Sequence, residues 1–484
     1  MKSAFAEFDF KSQNGLDVDI TPPGEWMLAN LGIDLAAPEF RELPPCKRAQ
    51  YKAVKNWLTK YKPKWDASNL EKVRGYLEAF HHLCEVEDWK RAWETLLIRL
   101  NTPTKEQLHN HLNTWGYYQE QADIYDRLQK KINNPNLMWD SNWLELGRSI
   151  NIILTGLGNS YLGIGEYEKA IEYYQQRLRL ARNTRDRKGE AWALVNIALA
   201  YKGIHNYNEA INCLQQSFAI VKEIEDKQGE GACLRNLGLV YTDIGNYSDA
   251  IKALQESLVI SQAISDSHGE AGSLIGLGNI CRVRGEYVTA TEHYQNGLKI
   301  AQNIGYGQLE FVALGNLSNV CFSQGNYAQS IDYRQQQLTS AKRIGDRKGE
   351  GNAFGYLGIA YNSQGEYDRA IESHQQHLVI AEEIGDLTGQ ATALCNLGYG
   401  LFQLEQYPEA ELYVRRALKM SQTICDRSLK AYAFRNLADI YQKLGNSLLA
   451  LEYCDRALSI ATELDIPLAK HCQELKEQLL SKQT

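Results

Sequence analysis

The chain lacks a Cys-x-x-Cys pair, and it lacks any Gly-Lys dipeptide. Without Gly-Lys there is no GxxxxGK[ST] phosphate loop, so nucleotide hydrolysis of that kind is excluded. Nowhere do about eighteen apolar residues run uninterrupted, the length a membrane span needs. A basic excess is also missing: Lys and Arg number 52 against 59 Asp and Glu, for a net charge of −7. That balance argues against a dedicated nucleic-acid or anionic-membrane binder. The first residues (MKSAFAEFDFKSQN) show no basic stretch followed by an apolar one, so no secretory signal is expected. Strand signals are absent throughout. The ten cysteines are spread over 484 residues. Cys213, Cys233, Cys395 and Cys454 fall inside helical patterns, and Cys281 and Cys321 occupy one repeated position. They read as small buried apolar residues, a state that fits a reducing cytoplasm.

What the chain does have is a period. Tyr167, Tyr207, Tyr247, Tyr287, Tyr327, Tyr367 and Tyr407 stand forty residues apart. Three residues after each comes a small side chain, from Ala170 to Ala410, with Ser330 the one serine. An eighth copy has Ser447 for the tyrosine and keeps Ala450. A fixed period without insertions means one supersecondary unit stacked repeatedly. In residues 231–270, Leu234, Leu237, Gly238 and Tyr241 are spaced as one helix face, and Gly245-Asn246 breaks the helix. A second helix follows with Tyr247, Ala250, Ile251, Leu254 and Leu258. Gly238 and Ala250 let the two backbones approach while the larger residues fill around them.

The period predicts an all-α fold, a right-handed superhelical solenoid of antiparallel helix pairs with an irregular N-terminal segment. Four regions are expected. Residues 1–47 are irregular, interrupted by Pro22, Pro23, Pro38, Pro44 and Pro45. Residues 48–140 are degenerate helical hairpins, with Trp89 and Ala92, then Tyr118 and Ala122, in the places of Tyr and Ala; Thr102-Pro103 reads as a helix start. Residues 141–465 hold eight forty-residue repeats, and 466–484 form a polar capping helix. A short amphipathic piece (Trp26, Met27, Leu28, Leu31, Ile33, Leu35) is suited either to docking on the body or to lying in its groove as a tethered ligand.

The pattern L-G-x-x-Y, turn, G-x-Y-x-x-A-I resembles the tetratricopeptide repeat, as in NLGLVYTDIGNYSDAI (236–251) and YLGIAYNSQGEYDRAI (356–371). The forty-residue form with its GDRKGE link (345–350) is similar to spindle-orientation adaptors and kinesin light chains. Residues 70–140 with the repeats that follow also resemble the sensor regions of bacterial STAND-type ATPases; with no phosphate loop here, the resemblance implies that the ATPase motor is missing or lies on another polypeptide. The resemblance implies a groove, lined by the first helix of each pair, that grips peptides or helices. The adaptors place arginines early in the first helix; the matching positions here are Gly231, Ala271, Gly351 and Thr392, so a preference for acidic ligands is not carried over.

Helix geometry at about 100° per residue gives a second estimate of the lining. Positions 232, 235, 239, 242 and 243, extended by forties, lie off the packed face. The candidate partner-binding residues are Trp192, Lys202, Arg235, Asn279, Arg282, Asn319, Phe322, Asn362, Tyr399, Phe402 and Arg435. Leu162, Val195, Leu199, Leu239, Ile275, Val312, Ile359 and Tyr432 complete the lining. Carboxamides can donate to and accept from a peptide backbone, and arginines can pair with carboxylates. A second asparagine column (Asn196, Asn236, Asn316, Asn396, Asn436) is expected to bond between repeats, and the glutamine column from Gln175 to Gln375 to be solvated.

Catalytic signals are weak. His109 and His111 are spaced poorly for chelation, and His374 and His377, three apart, read as exposed helix residues. Asp226, Asp266, Asp346, Asp386 and Asp426 recur with the period, so they read as helix-start residues. No catalytic residue, metal or cofactor is expected. The leading reading is a cytoplasmic scaffold that binds another protein, with no nucleic-acid or membrane partner. A second is a sensory receptor for a small peptide or metabolite. A third is an autoinhibited or self-associating module that uses residues 1–47.

Overall fold

Helix starts in the repeats are fixed by short polar side chains. The Asp226, Asp266, Asp346, Asp386 and Asp426 carboxylates each accept a bond from the backbone N–H three residues on, at 2.7–3.1 Å. Asn206, Asn246 and Asn446 cap helices in the same way. Each cap supplies an acceptor for one of the four donors a helix start leaves open. Between the two helices of a pair the chain reverses through a left-handed residue, as at Gly245 with φ 79°, a conformation glycine adopts without strain.

The computed structural model describes residues 20–64, 67–102, 104–132 and 143–481. Among the described residues there is no strand, only an isolated bridge between Arg99 and Gln107. The helices are α1 (Gly24–Asn30), α2 (Pro38–Arg41), α3 (Pro45–Lys60), α4 (Asn69–Glu85), α5 (Trp89–Leu96), α6 (Leu108–Thr114), α7 (Tyr118–Ile132), α8 (Trp143–Ile164) and α9 (Tyr167–Thr184). There follow α10 (Arg187–Gly203), α11 (Tyr207–Glu223), α12 (Lys227–Asp243), α13 (Tyr247–Ala263), α14 (Ser267–Val283), α15 (Tyr287–Asn303), α16 (Gly307–Ser323) and α17 (Tyr327–Ile344). The last are α18 (Arg347–Gln364), α19 (Tyr367–Glu383), α20 (Leu387–Gln403), α21 (Tyr407–Thr423), α22 (Arg427–Lys443), α23 (Ser447–Glu463) and α24 (Leu468–Ser481). From α8 to α23 they alternate as first and second helices of tandem pairs, the arrangement the period predicts.

The chain forms two compact units, residues 1–224 with 343–345, and residues 225–342 with 346–484. In the first, the proline-rich segment carries α1 and α2 and is built into the body. Met27, Leu28, Leu31 and Ile33 are buried. Tyr76 donates to the Pro22 carbonyl at 2.6 Å, and Arg91 Nε donates to the Leu31 carbonyl at 2.6 Å. Residues 20–42 are therefore a docked part of the fold and not a tethered ligand; residues 1–19 lie outside the described residues. Thr102 does not start a helix. Leu100 and Leu108 donate to Glu106 and Ile98 across a tight loop, and α6 begins only at Leu108. Pro103 lies outside the described residues. Both ring nitrogens of His109 are taken up inside this unit by Tyr125 and Gln107, and Nε2 of His111 by Thr102, while His111 Nδ1 is enclosed without a partner.

In the second unit each side chain at the Leu254 register is wedged between two first helices. A Cβ at Gly238 would lie 2.6 Å from Leu254 Cγ, and one at Gly276, in the next first helix, 2.8 Å from Leu254 Cδ2. Small residues make the gap and the second helix fills it. Ala431, Phe434, Ala438, Cys454, Cys472 and Leu475 close the core between α22, α23 and α24.

Candidate functional site

In the second unit a first helix such as α14, α20 or α22 packs on its own second helix and on the second helix of the preceding pair. Its third side is open. Consecutive first helices α12, α14, α16, α18, α20 and α22 are neighbours, so their open sides form one continuous face within this unit. Positions i, i+4 and i+7 fall on one side of a helix. On α16 these are Val312, Asn316 and Asn319, on α18 Asn352, Tyr356 and Ile359, and on α20 Thr392, Asn396 and Tyr399. None of the nine is buried; Val312 is 42% and Tyr356 49% exposed. Tyr432 on α22 is 44% exposed at the same position as Val312.

Of the residues expected from sequence, Asn279, Asn319 and Tyr399 lie on this face and are half-buried. Asn279 accepts from the Tyr294 hydroxyl at 2.8 Å, and Asn319 accepts from Arg334. Trp192, 42% exposed, has the equivalent position on α10, and Lys202 is half-buried there; both belong to the first unit.

The 235 and 242 columns are placed differently from expectation. They lie roughly 65–90° from the centre of the open side at about 100° per residue, which turns them toward the neighbouring helix. Val195 and Ile275 are buried at 4% exposure. Arg235 lies against Gly272 of α14, where a Cβ would stand 3.0 Å from its Cδ. Burial pulls its pKa below the ordinary arginine value. Arg435 is ion-paired with Asp439 at 3.0 Å on its own helix, and burial raises the Asp439 carboxyl against that pairing. Phe322 packs on Tyr327 and on the cluster of Ile331 and Leu357. Phe402 packs on Tyr407 and the cluster around Leu401 and Val414. Asn362 Nδ2 stands 3.3 Å from His374 Nε2, and Arg282 is half-buried with its Nε enclosed and unpartnered.

Two further expectations are corrected. The second asparagine column lies on the open face, between the two columns assigned there. Asn236 bonds back to the Ala232 carbonyl of its own helix at 3.0 Å, and only Asn436 reaches the preceding repeat, at Cys395. His374 and His377 are buried, at 0% and 5% exposure, because Gly358 and Gly355 leave room for their rings. Burial holds His374 neutral, with its pKa lowered to about 3. The glutamine column is solvated from Gln215 to Gln375, as expected.

Sequence reasoning missed Tyr356 and Arg334. The signal was readable: counting by forties from Tyr174, the register runs Leu214, Leu254, Tyr294, Arg334, His374, Val414, Cys454, with one cation in the column.

Sequence models described as "tetratricopeptide repeat" match residues 149–223, 189–263, 229–303, 269–343, 309–383 and 349–423, and a further one matches 395–464. No curated protein matches the chain. Among solved structures, one similar chain is a STAND signal-transduction ATPase with a tetratricopeptide-repeat sensor from Pyrococcus horikoshii. It is 15% identical with a TM-score of 0.53, over 96% of this chain and 75% of that one. The apo quorum sensor NprR from B. thuringiensis is 16% identical with a TM-score of 0.44, over 72% and 99%. A Rap protein complexed with competence and sporulation factor is 14% identical with a TM-score of 0.43, over 70% and 96%.

Proposed function

Because the chain belongs to the tetratricopeptide-repeat family, whose fold serves protein–protein interaction, we propose that its second unit holds an extended or helical segment of a partner protein along the open face of its first helices. The observation that carries this reading is the composition of that face. Val312, Tyr356, Ile359, Tyr399 and Tyr432 stay out of the core although each is large and apolar or aromatic. A face meant only for water has no use for such a row, and contiguous apolar surface of this sort marks an interaction site. Asn316, Asn319 and Asn396 lie among them, half-buried, and carboxamides both donate to and accept from a peptide backbone. The same reading makes the chain a scaffold without catalysis of its own.

The test is selection of a random-peptide display library on the full chain. Val312 and Tyr432 are exposed, so Val312→Glu with Tyr432→Glu should leave helicity and melting unchanged. The reading predicts that peptides enriched on the native chain bind the double variant at least tenfold more weakly. Equal binding would overturn it.

A further inference from the structure

Beneath the open face of α16 and α18 lies a cation with no counter-ion among the described residues. Arg334 on α17 is 4% exposed. Its guanidinium donates to Gln337 Oε1 at 2.7 Å and to Asn319 Oδ1, and it lies 4.2 Å from the centroid of the Tyr356 ring. The Gln337 amide is itself spent on the Phe311 carbonyl at 3.0 Å. All of these partners are neutral, and among the described residues no carboxylate is paired with the group. Burial accordingly pulls its pKa down to about 10. Three other arginines of this unit are ion-paired: Arg347 with Glu350 and Glu383, Arg415 with Glu411, Arg456 with Glu452.

Packing does not require this charge. The slot between consecutive first helices is filled elsewhere in the unit by Leu254, Tyr294, His374, Val414 and Cys454, all neutral. The site has instead been opened for the longer side chains. At Gly315 a Cβ would fall 2.5 Å from Gln337 Nε2 and 3.2 Å from Arg334 Nη1, in a column that holds Ile275 and Cys395 in other repeats. A buried guanidinium is costly unless something compensates it. Two of its five N–H groups are used, and the planar fork matches a carboxylate. Asn319 and Tyr356, which touch it, belong to the open face. The exposed positions beside them (Val312, Ser323, Asn352, Ser363) include no acid that competes.

We propose that Arg334, held by Asn319 and Gln337 and flanked by Tyr356, anchors a carboxylate of the bound partner segment, so that the partner carries an acidic residue or its own C-terminus at one fixed place. This rests on the partner-binding reading above and adds the chemistry of one position to it.

The test selects random peptides in two libraries, one with free C-termini and one with the C-terminus blocked. The targets are the full native chain, Arg334→Met, Arg334→Lys and Asn319→Asp. On the native chain, Asp or Glu is expected at one fixed position, or a fixed terminal residue only in the free-terminus library; the two results separate the side-chain from the terminal carboxylate. Arg334→Met should lower the affinity of those peptides about tenfold to a hundredfold, the usual weight of a charge-assisted bond. Arg334→Lys should keep part of the acidic preference. Asn319→Asp places a carboxylate on the guanidinium from within, so it should raise the melting temperature and abolish the preference, which keeps the test valid if Arg334→Met fails to fold. Peptides without a fixed carboxylate, or an acidic preference that survives both Arg334→Met and Asn319→Asp, would overturn the anchor and leave the binding face standing. No enriched peptide on any target would overturn both.

Discussion

A buried histidine whose Nδ1 has no partner is stable only as the neutral ring. His374 is such a residue, with Nδ1 enclosed and unpartnered and its pKa lowered by burial to about 3 from an ordinary 6.5. Burial lowers His377 too, and it lowers His109 and His111 in the first unit to about 4. The unfolded chain takes up protons near pH 6.5 and the folded chain does not, so stability falls as pH drops from there toward the folded values. Between pH 7 and pH 5 His374, His109 and His111 each remove about 2 kcal/mol. Leucine suits this register, since Gly238 faces Leu254 as Gly358 faces His374. Urea titrations of His374→Leu at the two pH values should therefore show a smaller acid loss than the native chain, by about that amount. An unchanged loss would mean that the ring is protonated in the folded state.

At the scale of the helix, the small residues between paired helices are the sensitive points. A Cβ at Gly398 on α20 would stand 2.3 Å from Val414 Cγ2 and 3.1 Å from the Ala410 carbonyl. Neither the β-branched side chain nor the backbone has room to yield. Gly398→Ala should lower stability by about 1–3 kcal/mol, read by thermal melting, the usual cost of overpacking. Loss of a cap costs less: Asp266→Ala, which leaves the Gly269 N–H without its 3.1 Å acceptor, should cost about 1 kcal/mol.

The same elements show why the fold was legible and the face only partly so. Tyr at forty-residue intervals, small residues three positions on, and recurrent aspartates specify helix pairs locally, and each feature took its expected place. The open face depended on helical phase. Reading Leu234, Leu237, Gly238 and Tyr241 as one packed side ignored the preceding second helix, which covers a further part of the cylinder. That pushed Arg235 and the Phe322 and Phe402 column off the face and brought Asn236 and Tyr356 onto it. Arg334 was invisible to this reasoning because it reaches the face from a second helix, through space that Gly315 leaves.

For the whole molecule, stability is a sum over neighbouring pairs, and the last helix covers an otherwise bare face. Leu468, Cys472, Leu475 and Leu479 of α24 bury the inner sides of Phe434, Ala438 and Cys454. Removing residues 466–484 should lower the melting temperature and produce aggregation visible by light scattering; an unchanged, monodisperse product would show that α23 ends the core by itself.

The central claim is that the open face of the first helices in the second unit receives the partner. Photo-crosslinking tests it most directly, because exposed valines of this unit lie on different surfaces. Val312 lies on the open face of α16, 42% exposed, and Val288 on the second helix α15, 73% exposed. With p-benzoylphenylalanine at one or the other, a peptide selected on the native chain should crosslink at 312 and not at 288; capture at 288 with none at 312 would contradict the account.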